Sequence, residues 1–157
     1  MRIVAVSDTH GKIDRLEAVL RQQPRADYFL HLGDVYFDVV EARMSYPNRN
    51  IICVAGNGDY GSDLPLEDEL VTCGKRIFYT HGHRYFVKSG YGRIIQEAQK
   101  RGADILLFGH THVAYTAYEN GLYIMNPGSL GHPEDGRPTY GVIDITAAGI
   151  VTNIAEV

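Results

Sequence analysis

Short apolar runs that stop at a polar turn and give way to a helical pattern restrict this chain more than any other feature. Ile3, Val4, Ala5 and Val6 are too few for a helix and too uniformly apolar for a strand with one wet face, so they predict a strand covered on both sides. The run ends at Ser7 and Asp8. Ile13, Leu16, Val19 and Leu20 then recur at helical spacing up to Gln22, with Pro24 beyond as a stop signal. The unit repeats: Tyr28 to Leu32 predicts a second strand broken at Gly33 and Asp34, and a helix-compatible stretch runs from Tyr36 to Met44 before Pro47. A third strand, Ile51 to Ala55, stops at Gly56-Asn57-Gly58-Asp59. Fourth and fifth strands are expected over Leu66 to Thr72 and Arg76 to Thr80, and a sixth over Asp104 to Phe108, after an amphipathic helix carrying Tyr91, Ile94, Ile95 and Ala98.

Beyond Phe108 the pattern changes. Val113 to Tyr118, Leu122 to Met125, Thr139 to Ile145 and Ile150 to Ile154 predict strands joined by Asn120-Gly121, a proline and glycine loop, and Ala148-Gly149, as in antiparallel hairpins. Parallel βα units followed by hairpins imply an α/β fold, two sheets packed face to face with helices outside. No linker, repeat or low-complexity stretch divides the chain, so residues 1–157 are expected to form one domain.

With 157 residues, 45% of them hydrophobic, the chain can bury a core without disulfides. Cys53 and Cys73 have no CxxC spacing and are read as reduced thiols. No apolar run approaches the roughly 20 residues of a membrane span, and the first run is too short for a signal peptide, so no membrane partner and a cytoplasmic location are expected. A net charge of -4 without Lys/Arg clusters weighs against nucleic-acid binding.

Histidine is the informative residue. Random placement of seven would give about 0.3 pairs with one residue between them, whereas His81/His83 and His110/His112 make two. In open α/β sheets ligands bind just past the carboxyl ends of the strands. Those positions hold Asp8 and His10 after the first strand, Asp34 after the second, Asn57 after the third, His81 after the fifth, and His110 and His112 after the sixth. Carboxylate, imidazole and amide oxygen without thiolate suit moderately hard divalent ions such as manganese, iron or zinc. Seven ligands exceed what one ion takes, and two ions sharing a carboxylate fit better, an arrangement suited to phosphate ester hydrolysis.

The blocks Asp8-Thr9-His10, Gly33-Asp34, Gly56-Asn57-Gly58-Asp59, His81-Gly82-His83 and Gly109-His110-Thr111-His112 stand in an order that resembles the calcineurin-like metallophosphoesterases, and within them the small YfcE-type phosphodiesterases. The likeness spans nearly the whole chain. It implies a four-layer αββα sandwich with two mixed sheets. It also implies Asp8, His10 and His112 on a first metal, Asn57, His81 and His110 on a second, and Asp34 bridging both. The ions would be two divalent metals, Mn2+ first, with Fe, Zn or Ni as alternatives. Two dications against two carboxylates leave a positive site that attracts a small phosphoester, and a hydroxide between the ions would attack phosphorus directly. Small members of the family often form dimers or tetramers, so the resemblance also admits a homo-dimer or tetramer here. Larger members carry a histidine directly after the metal-binding asparagine, where this chain has Gly58, so good leaving groups should be favoured. The alternatives are a non-catalytic interaction scaffold like the trafficking subunit Vps29, and a phosphomonoesterase or nuclease with the same site.

Among the remaining polar residues, His83 is the catalytic candidate, beside the substrate phosphate or as a stand-in acid. His31 reads as a packed, hydrogen-bonded histidine and His132 as a loop residue. Asp59 is expected to orient a neighbouring ligand, while Asp27, Asp38 and Asp63 read as solvated charges or helix starts.

Overall fold

The computed structural model describes residues 1–157, and its elements follow the chain as βα units closed by hairpins. Strands β1 (Arg2–Val6), β2 (Tyr28–His31) and β3 (Ile51–Cys53) pair in parallel, connected by helices α1 (Ile13–Gln22) and α2 (Tyr36–Ser45). Strands β4 (Glu67–Thr72) and β5 (Lys75–Thr80) are antiparallel, and β5 runs parallel to β6 (Ile105–Phe108), which follows helix α3 (Gly92–Lys100). Short 3-10 turns at His83–Tyr85 and Val87–Ser89 precede α3. Hairpins β7 (Ala114–Glu119) with β8 (Leu122–Pro127) and β9 (Thr139–Thr146) with β10 (Gly149–Glu156) complete the chain.

Each hairpin joins a different sheet. One sheet has the order β10-β9-β1-β2-β3 and the other β4-β5-β6-β8-β7. Strand β9 lies antiparallel to β1 and β8 parallel to β6, so both sheets are mixed. The turn at Asn120-Gly121 reports on the β7–β8 pairing alone; the second neighbour of β8 is chosen by packing between residues far apart in sequence.

Alternation along the strands separates four layers. Ile3 and Ala5 of β1, Leu30 of β2, and Ile105 and Leu107 of β6 point between the sheets, where they meet Ile77, Tyr79, Met125 and Ile143. Val4 and Val6 point the other way, against Leu16, Val19 and Leu20 of α1 and Val39 and Ala42 of α2. Leu106 and Phe108 pack outward against Ile94 and Ala98 of α3. The runs are nearly all apolar because both faces are covered, and each fully buried Ile or Leu adds about 1.5 to 3 kcal/mol. The chain thus forms helix, sheet, sheet and helix layers.

The parallel strands of both sheets end at one rim. Asp8 N–H donates to Gly33 O at 3.0 Å, and Leu130 and Gly131 N–H donate to the carbonyls of Ser7 and Asp8 at 3.1 and 2.8 Å. Across the sheets, His81 Nδ1–H donates to Leu32 O at 2.8 Å. No helix is long and apolar enough to cross a membrane.

Candidate metal centre

At that rim the structure brings together Asp8, His10, Asp34, Asn57, His81, His110 and His112. Ligand atoms of Asp8, His10 and His112 lie within 4.8 Å of one another, as do those of Asp8, Asp34 and His81. Asp34 Oδ2 stands 3.5 Å from His81 Nε2 and 3.9 Å from His10 Nε2, between the two halves of the cluster. Asp8 Oδ1 has the same in-between position, 3.1 Å from His112 Nε2, 3.8 Å from His10 Nε2 and 3.9 Å from His81 Nε2. Both carboxylates therefore reach both halves.

The loops that present these groups are bent where ordinary residues resist bending. Nine non-glycine residues have positive φ, and five of them are Asp8, His10, Asp34, His110 and His112, at 45 to 68°. Such strain persists only where surrounding contacts over-determine it, and it gathers at functional sites. The contacts are visible here. Asp8 Oδ2 accepts from Ser7 Oγ–H at 2.5 Å and from His110 N–H at 3.0 Å, and Ser129 Oγ–H donates to Asp8 O at 2.9 Å. A Cβ at Gly109 would lie 1.9 Å from Ser7 Oγ, so that close approach requires glycine. His31, buried as expected, accepts from Gly33 N–H at Nδ1. Its Nε2–H then donates to Thr9 Oγ1, whose own hydrogen goes to Asp34 O. Burial pushes His31 down to about 4, which keeps this relay neutral.

Asp59 joins two of the loops. Its Oδ2 accepts from Asp34 N–H at 3.0 Å and Gly56 N–H at 2.8 Å, and its Oδ1 accepts from Tyr36 N–H at 2.7 Å. Helix α2 has no cap from the residue before it, so this carboxylate from a distant loop caps its first turn. Asp38, read from sequence as a solvated charge or helix start, does lie in the first turn of α2, but it is buried rather than solvated, and its Oδ2 accepts from Gly11 N–H at 2.9 Å. The first loop folds over α2 and encloses it, a long-range contact that a local pattern does not encode. The loop of His132 lies beside the cluster: its ring centroid is 5.0 Å from that of His10, and its carbonyl accepts from His112 Nδ1–H at 2.8 Å.

The donor chemistry fits a cation. Asp8 is completely buried and its Oδ1 has no hydrogen-bond partner, although His112 Nε2 lies 3.1 Å away. An orphaned buried carboxylate oxygen costs several kcal/mol in an ordinary interior. With Nδ1 engaged by Leu32 O, the Nε2 of a neutral His81 is a lone pair, and it lies 3.1 Å from Asn57 Oδ1, also an acceptor. The same Nε2 lies 3.1 Å from His110 Nδ1. Two acceptors turned toward one another, as Asn57 Oδ1 and the Nε2 of a neutral His81 are, suit a shared positive ion.

Electrostatics prepares most of the imidazoles. Burial lowers His10 against the pull of Asp8 and Asp34, and burial with His81 and Lys88 lowers His110 to about 4. His112 moves oppositely, raised by the adjacent Asp8 carboxylate against burial. Burial pushes Asp8 up, and His112, His81 and Ser7 outweigh it, holding the carboxyl below its ordinary value.

His83 stands at the side of the cluster, its ring centroid 5.4 Å from His81 and 6.1 Å from His110. Its Nδ1 is buried without a partner, and it lines a cavity with Asn57.

The model of the calcineurin-like phosphoesterase superfamily domain matches residues 1–148, and the chain belongs to that superfamily. A crystal structure from Streptococcus pneumoniae TIGR4, described as a predicted phosphoesterase, superposes with a TM-score of 0.83 at 27% identity, covering 99% of this chain and 88% of that one. Phosphodiesterase YfcE of Escherichia coli K12 is 28% identical, over 96% of this chain and 91% of the relative. Vacuolar protein sorting-associated protein 29 of Schizosaccharomyces pombe is 26% identical, over 100% of this chain and 91% of the relative.

Two outcomes follow from this geometry. Replacing Asp59 by Ala leaves three backbone N–H groups without their acceptor, at about 1 to 3 kcal/mol each if buried; urea unfolding should show a loss of about 3 kcal/mol, together with weaker Mn2+ binding. Because a ligand must offer a lone pair and the Asp8 carboxylate raises the pKa of His112, protons compete with the metal there as pH falls through that raised value. Calorimetric affinity for Mn2+ should therefore rise between about pH 6 and pH 8 with proton release, and the slope should flatten in His112→Asn.

Proposed function

We propose that this chain is a binuclear metal-dependent phosphodiesterase, one domain acting in the cytoplasm on a small phosphoester, with Mn2+ as the working metal. The observation that carries the reading is the partnerless Asp8 Oδ1 in a cluster where all seven expected ligand residues are present and converge. Asp8, His10 and His112 would hold one ion, Asn57, His81 and His110 the other, with Asp34 shared. Bound divalent ions supply Lewis acidity, which neutralises the ester's charge and lowers the pKa of water enough to make a nucleophile near neutral pH.

The protein's own groups do the rest. Asp8 and Asp34 are fixed by hydrogen bonds to their second oxygens, from Ser7 and His110 in one case and from Gly58 N–H at 2.8 Å in the other. Those bonds aim the remaining oxygens into the cluster before any substrate arrives, which is electrostatic preorganisation. Gly58 offers no side chain to protonate a departing alkoxide. His83 binds rather than protonates: burial and His81 lower its pKa, so at neutral pH the ring is uncharged. Its Nδ1 is enclosed, and Nε2, free of protein partners, donates its hydrogen to a phosphate oxygen.

The sorting-protein relative favours one competing reading, a partner-binding scaffold on the same fold. The complete ligand set favours the enzyme. Turnover of bis(4-nitrophenyl) phosphate should require Mn2+ and vanish on chelation or in Asp34→Asn, and reaction in labelled water should place one solvent oxygen on the phosphoryl product. Absence of metal-dependent hydrolysis of any ester would favour the scaffold. An aryl diester should turn over faster than an alkyl one, since no acid serves the leaving group. His83→Ala should lower kcat about tenfold for good and poor leaving groups alike. A much larger loss with the poor leaving group would make His83 the acid instead.

A further inference from the structure

A cavity of about 480 Å3 opens beside the metal centre, walled by Val35, Tyr36, Phe37, Gly58, Tyr60 and Leu64 among others. It shares a wall with the cluster, because Val35 follows the central carboxylate Asp34 and Gly58 follows Asn57, with Gly58 N–H bonded to Asp34 Oδ1. A Cβ at Gly58 would lie 3.3 Å from Asp34 Oδ1, so glycine keeps side-chain atoms out of the junction between carboxylate and cavity.

The lining has an unusual chemistry for a rim built around anions. Tyr60, at 93% exposure, and Phe37, at 80%, are the two most solvent-exposed large apolar side chains of the chain, and both belong to this cavity. Neither packs into a core cluster, so neither ring is held here by the core. No lysine or arginine lines the cavity. Its only charged side chains are Asp59 and Asp63, and both oxygens of Asp59 already accept backbone N–H groups. A second phosphate or a carboxylate would be repelled there, whereas a neutral ring would stack on aromatic faces and lose water from its own surface.

We propose that this cavity is a subsite for an uncharged aromatic substituent of the phosphoester, stacked against Phe37 and Tyr60 while the phosphate occupies the metal centre. The proposal rests on the phosphodiesterase reading and narrows it to aromatic esters. It assigns substrate preference to two residues whose side chains form no hydrogen bond with a candidate ligand, so their truncation should leave phosphate binding intact.

The test uses the manganese-loaded protein and two inert probes with one anionic head, phenylphosphonate and methylphosphonate, with affinities read by calorimetry. The native protein should bind the phenyl compound about tenfold more tightly. In the Phe37→Ala/Tyr60→Ala double variant that ratio should fall to near one, with methylphosphonate affinity unchanged. Both side chains are exposed, and an unchanged melting temperature should show that the fold is intact. No ring preference in the native protein, or a preference that survives the double substitution, would overturn the subsite, as would failure of both probes to bind. Turnover of an aryl diester, measured in parallel, separates the two readings: ring preference without turnover retains the subsite and removes the hydrolase, and turnover without ring preference does the reverse.

Discussion

The apolar layer between the two sheets is the constraint on which the rest depends. Ile3, Ala5, Leu30 and Leu32 from one sheet meet Ile77, Ile105, Leu107 and Met125 from the other, and this contact fixes the height at which each parallel strand ends. Because side chains alternate at every residue, a one-residue slip would turn the inner set outward and bury the outer set wrongly. Register is therefore rigid, and the loops that follow β1, β2, β3, β5 and β6 leave the core at one level. Groups more than a hundred residues apart in sequence arrive within a few ångströms of one another. The ring of His10 and the ring of His112, at 5.1 Å between centroids, show the result.

Those loops carry strain that the core alone does not explain. Five ligand candidates adopt left-handed backbone, and glycines at 56 and 109 admit neighbouring groups closer than any Cβ would allow. The strain is held by a second layer of polar contacts: Ser7, Thr9, His31, Asp59 and Ser129 each tie one loop to another or to its own ligand. Together they leave Asp8 Oδ1 bare inside the protein. A fold stabilised only for its own sake would pair that oxygen or expose it. An oxygen left bare in this way suits a bound cation, and the chain belongs to the calcineurin-like phosphoesterase superfamily.

The acidic loop residues divide their work by position. Asp34 and Asp8 face inward, Asp59 faces backbone N–H groups, and Asp38 closes the first loop over α2. Identical side chains thus serve as candidate ligand, cap and clasp, and their surroundings decide which. Burial likewise holds His10 and His110 neutral while the Asp8 carboxylate favours the charged form of His112.

Much of this was legible in the chain. Apolar runs such as Ile3 to Val6 reveal strands because covering both faces leaves no polar position to interrupt them, and Leu16, Val19 and Leu20 reveal α1 because helical spacing must align a buried stripe. The blocks Asp8-Thr9-His10 and His110-Thr111-His112 stand out because strand ends are where polar residues can gather without disturbing a core. Other features lie beyond a local reading. The burial of Asp38, the capping of α2 by Asp59, the parallel pairing of β6 with β8 and the cavity beside Phe37 and Tyr60 each arise from contacts between distant segments. Periodicity and turn chemistry act over a few neighbouring residues, so they determine which elements form and which residues sit at their ends. Which loop closes over which, and which carboxylate is left bare, is decided only when the two sheets pack and set the register of everything above them.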